Sequence, residues 1–253
     1  MLAVISPAKK LNFDPLPEGF PQSFPEFQAD ANQLAATARQ LAASDLRRLM
    51  SISEDLAQLN QARFKAFADC SDDRNSKQAA LAFAGDTYVG LRADSFDADD
   101  MNFAQDHLRI LSGLYGVLRP LDRIQPYRLE MGSRLKNERG ANLYAYWGDR
   151  VGAALDEAAN GGPVINLASA EYFKAAGKAM QAPVITPAFK EERDGDLKMI
   201  GFYAKKARGM MARFIVRNRI TGAEALKEFD MEGYVYQPSL SDAANWTFTR
   251  KAA

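Results

Sequence analysis

Between Pro163 and Phe189 the chain reads Pro163-Val-Ile-Asn-Leu167, then Ser169-Ala-Glu-Tyr-Phe-Lys174, then Pro183-Val-Ile-Thr-Pro-Ala-Phe189. Two apolar runs of strand length enclose a stretch that predicts a helix over 169–180, so the unit reads strand, helix, strand. Working outward, a helix is expected from Asn142 to about Ala159. After the unit come an apolar strand over Leu197 to Tyr203, a basic helix from Ala204 to about Arg219, a shorter helix from Thr221 to Phe229, and short strands at Gly233 to Tyr236 and Asn245 to Thr249. Strands alternating with helices imply a mixed sheet with helices packed against it.

The N-terminal part fits the same plan. Leu2-Ala-Val-Ile5 reads as a buried strand that empties into the polar loop Ser6-Pro-Ala-Lys-Lys10. Prolines 15, 17, 21 and 25 forbid regular structure as far as Pro25. Helices follow over Glu26 to Ala43, from the cap Ser44-Asp45 to Met50, and from Ser53, with Leu56, Leu59, Arg63 and Phe67 at helical spacing. Leu81 to Ala84 reads as a buried strand, and Asp99 or Asp100 as the cap of a helix running to Leu111. Residues 112–140 are punctuated by Gly113, Gly116, Pro120, Pro126 and Gly132 and read as a structured loop region. The expected fold class is α+β, one domain over 1–253 with a mixed sheet flanked by helices and no internal repeat.

Composition excludes several classes. The chain has 253 residues, 32 Lys+Arg and 32 Asp+Glu, and 47% hydrophobic residues, which suits an ordinary globular core. No run approaches the ~20 apolar residues that span a bilayer, and Met1 to Pro7 lacks the pattern of a signal peptide; no membrane partner and a cytoplasmic location are expected. The neutral total hides an asymmetry. Residues 18–100 carry 14 acidic and 8 basic side chains, residues 101–253 carry 17 and 22, and such a split points to a polyanion partner.

Three basic or glycine-rich segments could meet that partner. Leu111-Ser-Gly-Leu-Tyr-Gly116 places two glycines three apart after an expected helix, which suits either an ordinary helix C-cap at Gly113 followed by a turn or a helix-hairpin-helix element that brings backbone amides to a DNA phosphate. Lys198 to Arg219 holds seven basic residues and no Asp or Glu. On a helix, Lys206, Arg213 and Arg217 fall within about 40° of one another, opposite Met210, Met211, Phe214 and Ile215. The third is the loop set Arg119, Arg123, Arg128, Arg134, Lys136 and Arg139, beside Tyr127 and Trp147. Asp122 and Glu130 lie close enough in sequence to hold some of these arginines in ion pairs, Arg128 among them. One His (His107) and one Cys (Cys70) supply no zinc or haem ligand set, and the carboxylates Asp86, Glu130 and Glu171 have no metal-specific spacing. No cofactor is expected. An enzyme using Lys9 or Lys205 as nucleophile beside Asp86 or Glu171 is the alternative.

Taken together, Ser6-Pro-Ala-Lys9, Gly85-Asp-Thr-Tyr-Val-Gly-Leu91, Leu108-Arg-Ile-Leu-Ser-Gly-Leu-Tyr-Gly-Val-Leu-Arg-Pro-Leu-Asp122, Gln125-Pro-Tyr-Arg-Leu-Glu-Met-Gly132, Asn166 to Lys174 and Lys205-Lys-Ala-Arg-Gly209 resemble the YaaA family of bacterial peroxide-stress-resistance proteins. The resemblance implies protection during hydrogen peroxide stress, a link to limiting damage from unincorporated iron, a single-domain α and β fold particular to the family, and DNA binding through a helix-hairpin-helix element and a positive cleft. Carried over by residue, the hairpin falls on Ser112, Gly113, Leu114, Tyr115 and Gly116, and the cleft on Lys9, Arg119, Arg128, Lys205, Lys206 and Arg208. Arg213 and Arg217 join them from the basic stripe.

Overall fold

A computed structural model of the protein describes residues 1–16, 20–177, 179–193 and 195–251. Leu2–Ile5 forms β1, four consecutive apolar residues that are all buried, as a strand covered on both faces requires. β1 lies in the middle of the main sheet. It pairs in parallel with β3 (Leu108–Ser112) on one side and β6 (Val164–Leu167) on the other, with Val4 opposite both Arg109 and Asn166. β6 continues in parallel to β7 (Val184–Arg193), and β7 to β10 (Asn245–Lys251). Three short strands finish the sheet in antiparallel fashion: β4 (Gly116–Leu118) on β3, β8 (Asp196–Lys198) on β7 and β9 (Val235–Tyr236) on β10. A separate ribbon joins β2 (Lys77–Gln78) to β5 (Arg123–Ile124).

The helices are α1 (Gln28–Arg39), α2 (Ala43–Met50), α3 (Glu54–Ala66), α4 (Ala79–Ala82), α5 (Asp86–Leu91), α6 (Ala98–His107), α7 (Leu143–Trp147), α8 (Arg150–Ala159), α9 (Ala170–Phe173) and α10 (Gly201–Arg217). α10 packs on α5 and reaches β1, β6 and β7, while α6 and α8 also contact β1. The mixed sheet flanked by helices is thus as expected. Ser53 caps α3 by accepting the Leu56 N–H, and Asp97 caps α6 by accepting that of Asp100, where the first-turn donors lack intrahelical partners.

Several elements differ from the sequence reading. Of the run at Leu81 to Ala84, the first two residues end the one-turn helix α4, where Ala and Leu favour helix, and Phe83 makes only an isolated bridge to Leu11. α6 ends at His107, because the apolar residues that follow it pair with β1 as β3. The helix expected over 142–159 is split at Gly148, which adopts φ +51°. α9 gives way to a 3-10 turn at Lys174–Ala176, and the segment Ala223–Glu228 is likewise 3-10. The strand expected over 197–203 shrinks to β8, and α10 already begins at Gly201.

α5 and α10 lie against each other at their backbones. A Cβ at Gly209 would collide with the carbonyl of Thr87, and one at Gly90 with the carbonyl of Lys206. The two backbones touch because both positions lack a side chain, and this contact holds the first half of α10 over the start of α5. Gly209→Ala is expected to lower the unfolding free energy by about 1–3 kcal/mol or more through overpacking, read as a shift in the urea midpoint with an unchanged slope.

Candidate functional site

In sheets of this kind ligands bind outside the C-terminal ends of parallel strands, where neighbouring connections leave in opposite directions. β1 is that place here, since the chain leaves it toward β3 and later returns to β6 on its other side. A cavity of about 470 Å³ opens there. Its rim is made by the loop after β1 (Ser6 to Lys10), the start of α5 (Gly85 to Thr87), the segment Tyr127 to Glu130, the exit of β6 through Ser169 to Glu171 and Tyr172, and Lys205 and Arg208 of α10.

The two strand exits are tied together. Ser6 Oγ accepts the Ser169 N–H at 2.9 Å, and the Tyr88 hydroxyl donates to the Ser6 carbonyl at 3.1 Å. Gly85 approaches Ala8 so closely that a Cβ would stand 2.9 Å from that of Ala8, which locks the first loop to α5. Glu171 is held by the Gly132 N–H, donated to its Oε1 at 2.9 Å. Burial pushes the hydroxyls of Tyr88, Tyr127 and Tyr172 up, and that of Tyr127 is engaged with Ser112 Oγ at 2.6 Å. They remain neutral O–H groups in the wall.

Charge is the distinctive feature of this cavity. Arg128 donates from Nε and Nη2 to Glu130 Oε1 at 3.0 and 2.9 Å, and Lys9 Nζ stands 3.4 Å from the same oxygen. The other oxygen, Oε2, is buried without a partner. Arg208 is half-buried, and burial pushes its guanidinium below its ordinary value. Among the described residues no carboxylate lies within ion-pair distance of Arg208, nor of Lys10 or Lys205. A guanidinium cannot shed its charge at physiological pH, so Arg208 is a half-buried cation with no described carboxylate partner.

The structure gathers Lys9, Arg128, Lys205 and Arg208 at this cavity and leaves the remaining expected residues elsewhere. The helix-hairpin-helix reading of Ser112, Gly113, Leu114, Tyr115 and Gly116 is corrected: these residues are the turn of the β3–β4 hairpin, and Ser112, Leu114 and Tyr115 are fully buried. Ser112 Oγ accepts the N–H groups of Leu114 and Tyr115, so the turn amides meet a side chain of their own segment. Gly116 adopts φ +68° against the Trp147 ring, and the Gly113 carbonyl accepts from the Trp147 indole. The glycines therefore serve the hairpin and its packing.

Most of the basic stripe on α10 is engaged within the fold. Lys206 pairs with Glu232. Arg213 donates to Ser95 Oγ and the Leu91 and Arg92 carbonyls. Arg217 and Arg219 both pair with Asp100, at 2.6 and 2.7 Å. Arg119 is likewise bound to Asp122 and the Phe24 carbonyl. The segment Lys198 to Arg219 lacks acidic residues because their partners come from α6 and more distant turns. Sequence reasoning passed over Lys10, Ser169 and Tyr172; the ends of the two apolar runs at Ile5 and Leu167 were the available signal. Among the described residues, no group of three or more His, Cys, Asp or Glu side chains is placed to hold a metal ion, and no helix is long and apolar enough to cross a membrane.

Residues 1–240 match the family described as "Peroxide stress protein YaaA". A UPF0246 protein of Caulobacter vibrioides is 53% identical over 254 residues, covering 99% of both chains. UPF0246 proteins of Dinoroseobacter shibae and Ruegeria pomeroyi are each 54% identical, over 99% of this chain and 95% and 98% of theirs. The likeness covers nearly the whole chain and shows a family of peroxide stress proteins. The chain belongs to the YaaA family, also named UPF0246.

Asp100, buried at the start of α6, tests the structural part played by Arg217 and Arg219. Burial would raise its carboxyl, but the hydrogen bond from Arg219, the Asp97 backbone and the Arg217 charge outweigh that and hold it below the usual range. A depressed folded-state value contributes stability that is present above the unfolded value and lost as pH falls through the folded one. Asp100→Asn is expected to cost about 2 kcal/mol near neutral pH, given the half-exposed arginines, and to flatten the acid side of a stability-against-pH curve measured by urea unfolding.

Proposed function

We propose that the protein binds DNA without reading its sequence, at the mouth of the cavity beside β1, and that this contact serves its role in peroxide stress by shielding DNA from iron-dependent damage. The observation that carries the reading is Arg208, a half-buried guanidinium with no described carboxylate partner, next to the exposed ammonium groups of Lys9, Lys10 and Lys205. Phosphate oxygens are the acceptors that such a set fits, and Arg offers them two parallel donors. Arg128 acts through Glu130, which it positions. Arg119, Lys206, Arg213 and Arg217 already hold partners and add only to the surrounding field. A neutral chain suits this arrangement, since local charge concentrates the polyanion at one place.

An enzymatic reading draws on Asp86, Glu130 and Glu171 in the same cavity as Lys9 and Lys205. The Lys9 side chain is 68% exposed, which denies it the desolvation that activates a lysine nucleophile. Borohydride trapping on abasic DNA would reveal a covalent lysine adduct.

Fluorescence anisotropy with a short duplex across a salt series tests the binding reading. The log-log slope is expected to be about −0.9 per phosphate contact, and replacing Lys205 and Arg208 by Ala to reduce its magnitude by about 2 while weakening all sequences alike. A flat slope, or a folded double variant with unchanged binding, refutes the assignment.

A further inference from the structure

A second cavity, of about 900 Å³, lies between α3 and the β2–β5 ribbon and shares no lining residue with the one beside β1. Although residues 18–100 are acidic in sum, the ionisable side chains on its walls are Arg63, Arg74, Lys77 and Arg123 against Asp14 and Asp73. Two of the four cations are spent: Arg123 pairs with Asp73 and donates to Ser76 Oγ, and Arg74 pairs with Asp72. The other two are not. Lys77 is only 7% exposed, and its Nζ donates to the Asp14 carbonyl at 2.9 Å and to Asn12 Oδ1 at 3.4 Å. Arg63 is half-buried, and its acceptor is Asn60 Oδ1 at 3.4 Å. Among the described residues neither has a carboxylate within ion-pair distance. Burial pushes both below their ordinary values, and the Asp14 charge opposes this only at Lys77.

Carbonyl and amide oxygens leave a full charge uncompensated, which burial makes costly. Folding alone gains nothing from that charge, since a neutral donor at position 77 would hold the Asp14 carbonyl as well. Two uncharged neighbours are satisfied within the fold: Ser76 Oγ donates to the Asp72 carbonyl and accepts from Arg123, and Gln125 exchanges two hydrogen bonds with the Ala68 backbone. Beside the two unpaired cations, the wall offers the rings of Phe13, Phe20 and Phe67.

We propose that this cavity binds an organic anion with an apolar body, its acidic head held by Arg63 and Lys77 and its body lying against Phe13, Phe20 and Phe67. An inorganic anion would answer the cations and leave the apolar wall in water, whereas a neutral hydrocarbon would cover the wall and leave the charges unpaired. The volume falls in the range of small-molecule pockets, which are mostly apolar with a few polar groups that fix orientation. Arg presents two parallel donors and Lys a point charge, a set suited to a carboxylate, sulfonate or phosphate head. The site is independent of the DNA-binding reading, which rests on other residues.

Anilinonaphthalene sulfonate, an aromatic anion whose fluorescence rises when it leaves water, is the probe. N-phenylnaphthylamine has its rings without the charge, and inorganic sulfate has a charge without the rings. The intact protein is expected to bind the sulfonate dye at micromolar concentration and at least about tenfold more tightly than either of the others. Arg63→Gln and Lys77→Met should each weaken the dye about ten- to a hundredfold, the loss of a charged hydrogen bond, and leave the neutral amine unchanged; Arg208→Ala should alter neither. Hydrogen exchange of the wild-type protein, which decides even where a variant fails to fold, should show the dye protecting amides over residues 63–67 and 76–78. Affinity no better than millimolar, equal affinity for the neutral amine, a loss that follows Arg208 instead of Arg63 and Lys77, or protection confined to other segments overturns the proposal.

Discussion

The structure depends on β1 pairing in parallel on both sides. Four apolar residues, Leu2 to Ile5, are buried between β3 and β6, and a strand so placed must be covered on both faces, because neither face offers a polar side chain to water. Its neighbours and the helices that reach it define the centre of the molecule. The same pairing decides where the chain must become polar: beyond Ile5 and Leu167 the ladder stops, and the backbone turns out as Ser6 and Ser169, which bind each other. The cavity is the space left where these two exits diverge.

What frames the cavity is set by contacts at a distance from it. α10 delivers Lys205 and Arg208 to the rim only because Gly90 and Gly209 let it lie directly on α5. Its other basic residues, with Arg219 just past its end, are spent on holding that helix down: Arg213 on the turn after α5, Arg217 and Arg219 on Asp100, Lys206 on Glu232. One helix thus carries two sets of cations with different duties. Ion pairs with buried or half-buried carboxylates fix the scaffold, and the unpaired cations remain to bind. Burial leaves a charge unpaired only at a cost, so Arg208, half-buried with no described carboxylate partner, carries more functional meaning than the overall count of charges.

Architecture is legible in the sequence where the signal is local and strong. β1, β6 and α3 with its Ser53 cap lie where the apolar runs and the cap place them, whereas α6 is capped by Asp97 and not by Asp99 or Asp100. It is not legible where a short segment suits two conformations and long-range pairing chooses between them. Leu108 to Ser112 continues the apolar spacing of α6 and yet pairs with β1; the glycines that follow resemble a DNA-binding hairpin and yet close a β-turn through Ser112 Oγ. Glycine spacing is compatible with both because it specifies only that the backbone turns tightly.

By itself the sequence determined the class of fold, the uneven distribution of charge and the family, since these follow from composition, local periodicity and long runs of identical residues. It also supplied the residues that line the cavity: Lys9, Arg128, Lys205 and Arg208 all stand in its most distinctive segments. Only the tertiary structure decided which cations are free. Whether an arginine is spent depends on a carboxylate far along the chain, as Asp100 is from Arg217 and Arg219, and Coulomb attraction acts through space with no trace in local spacing.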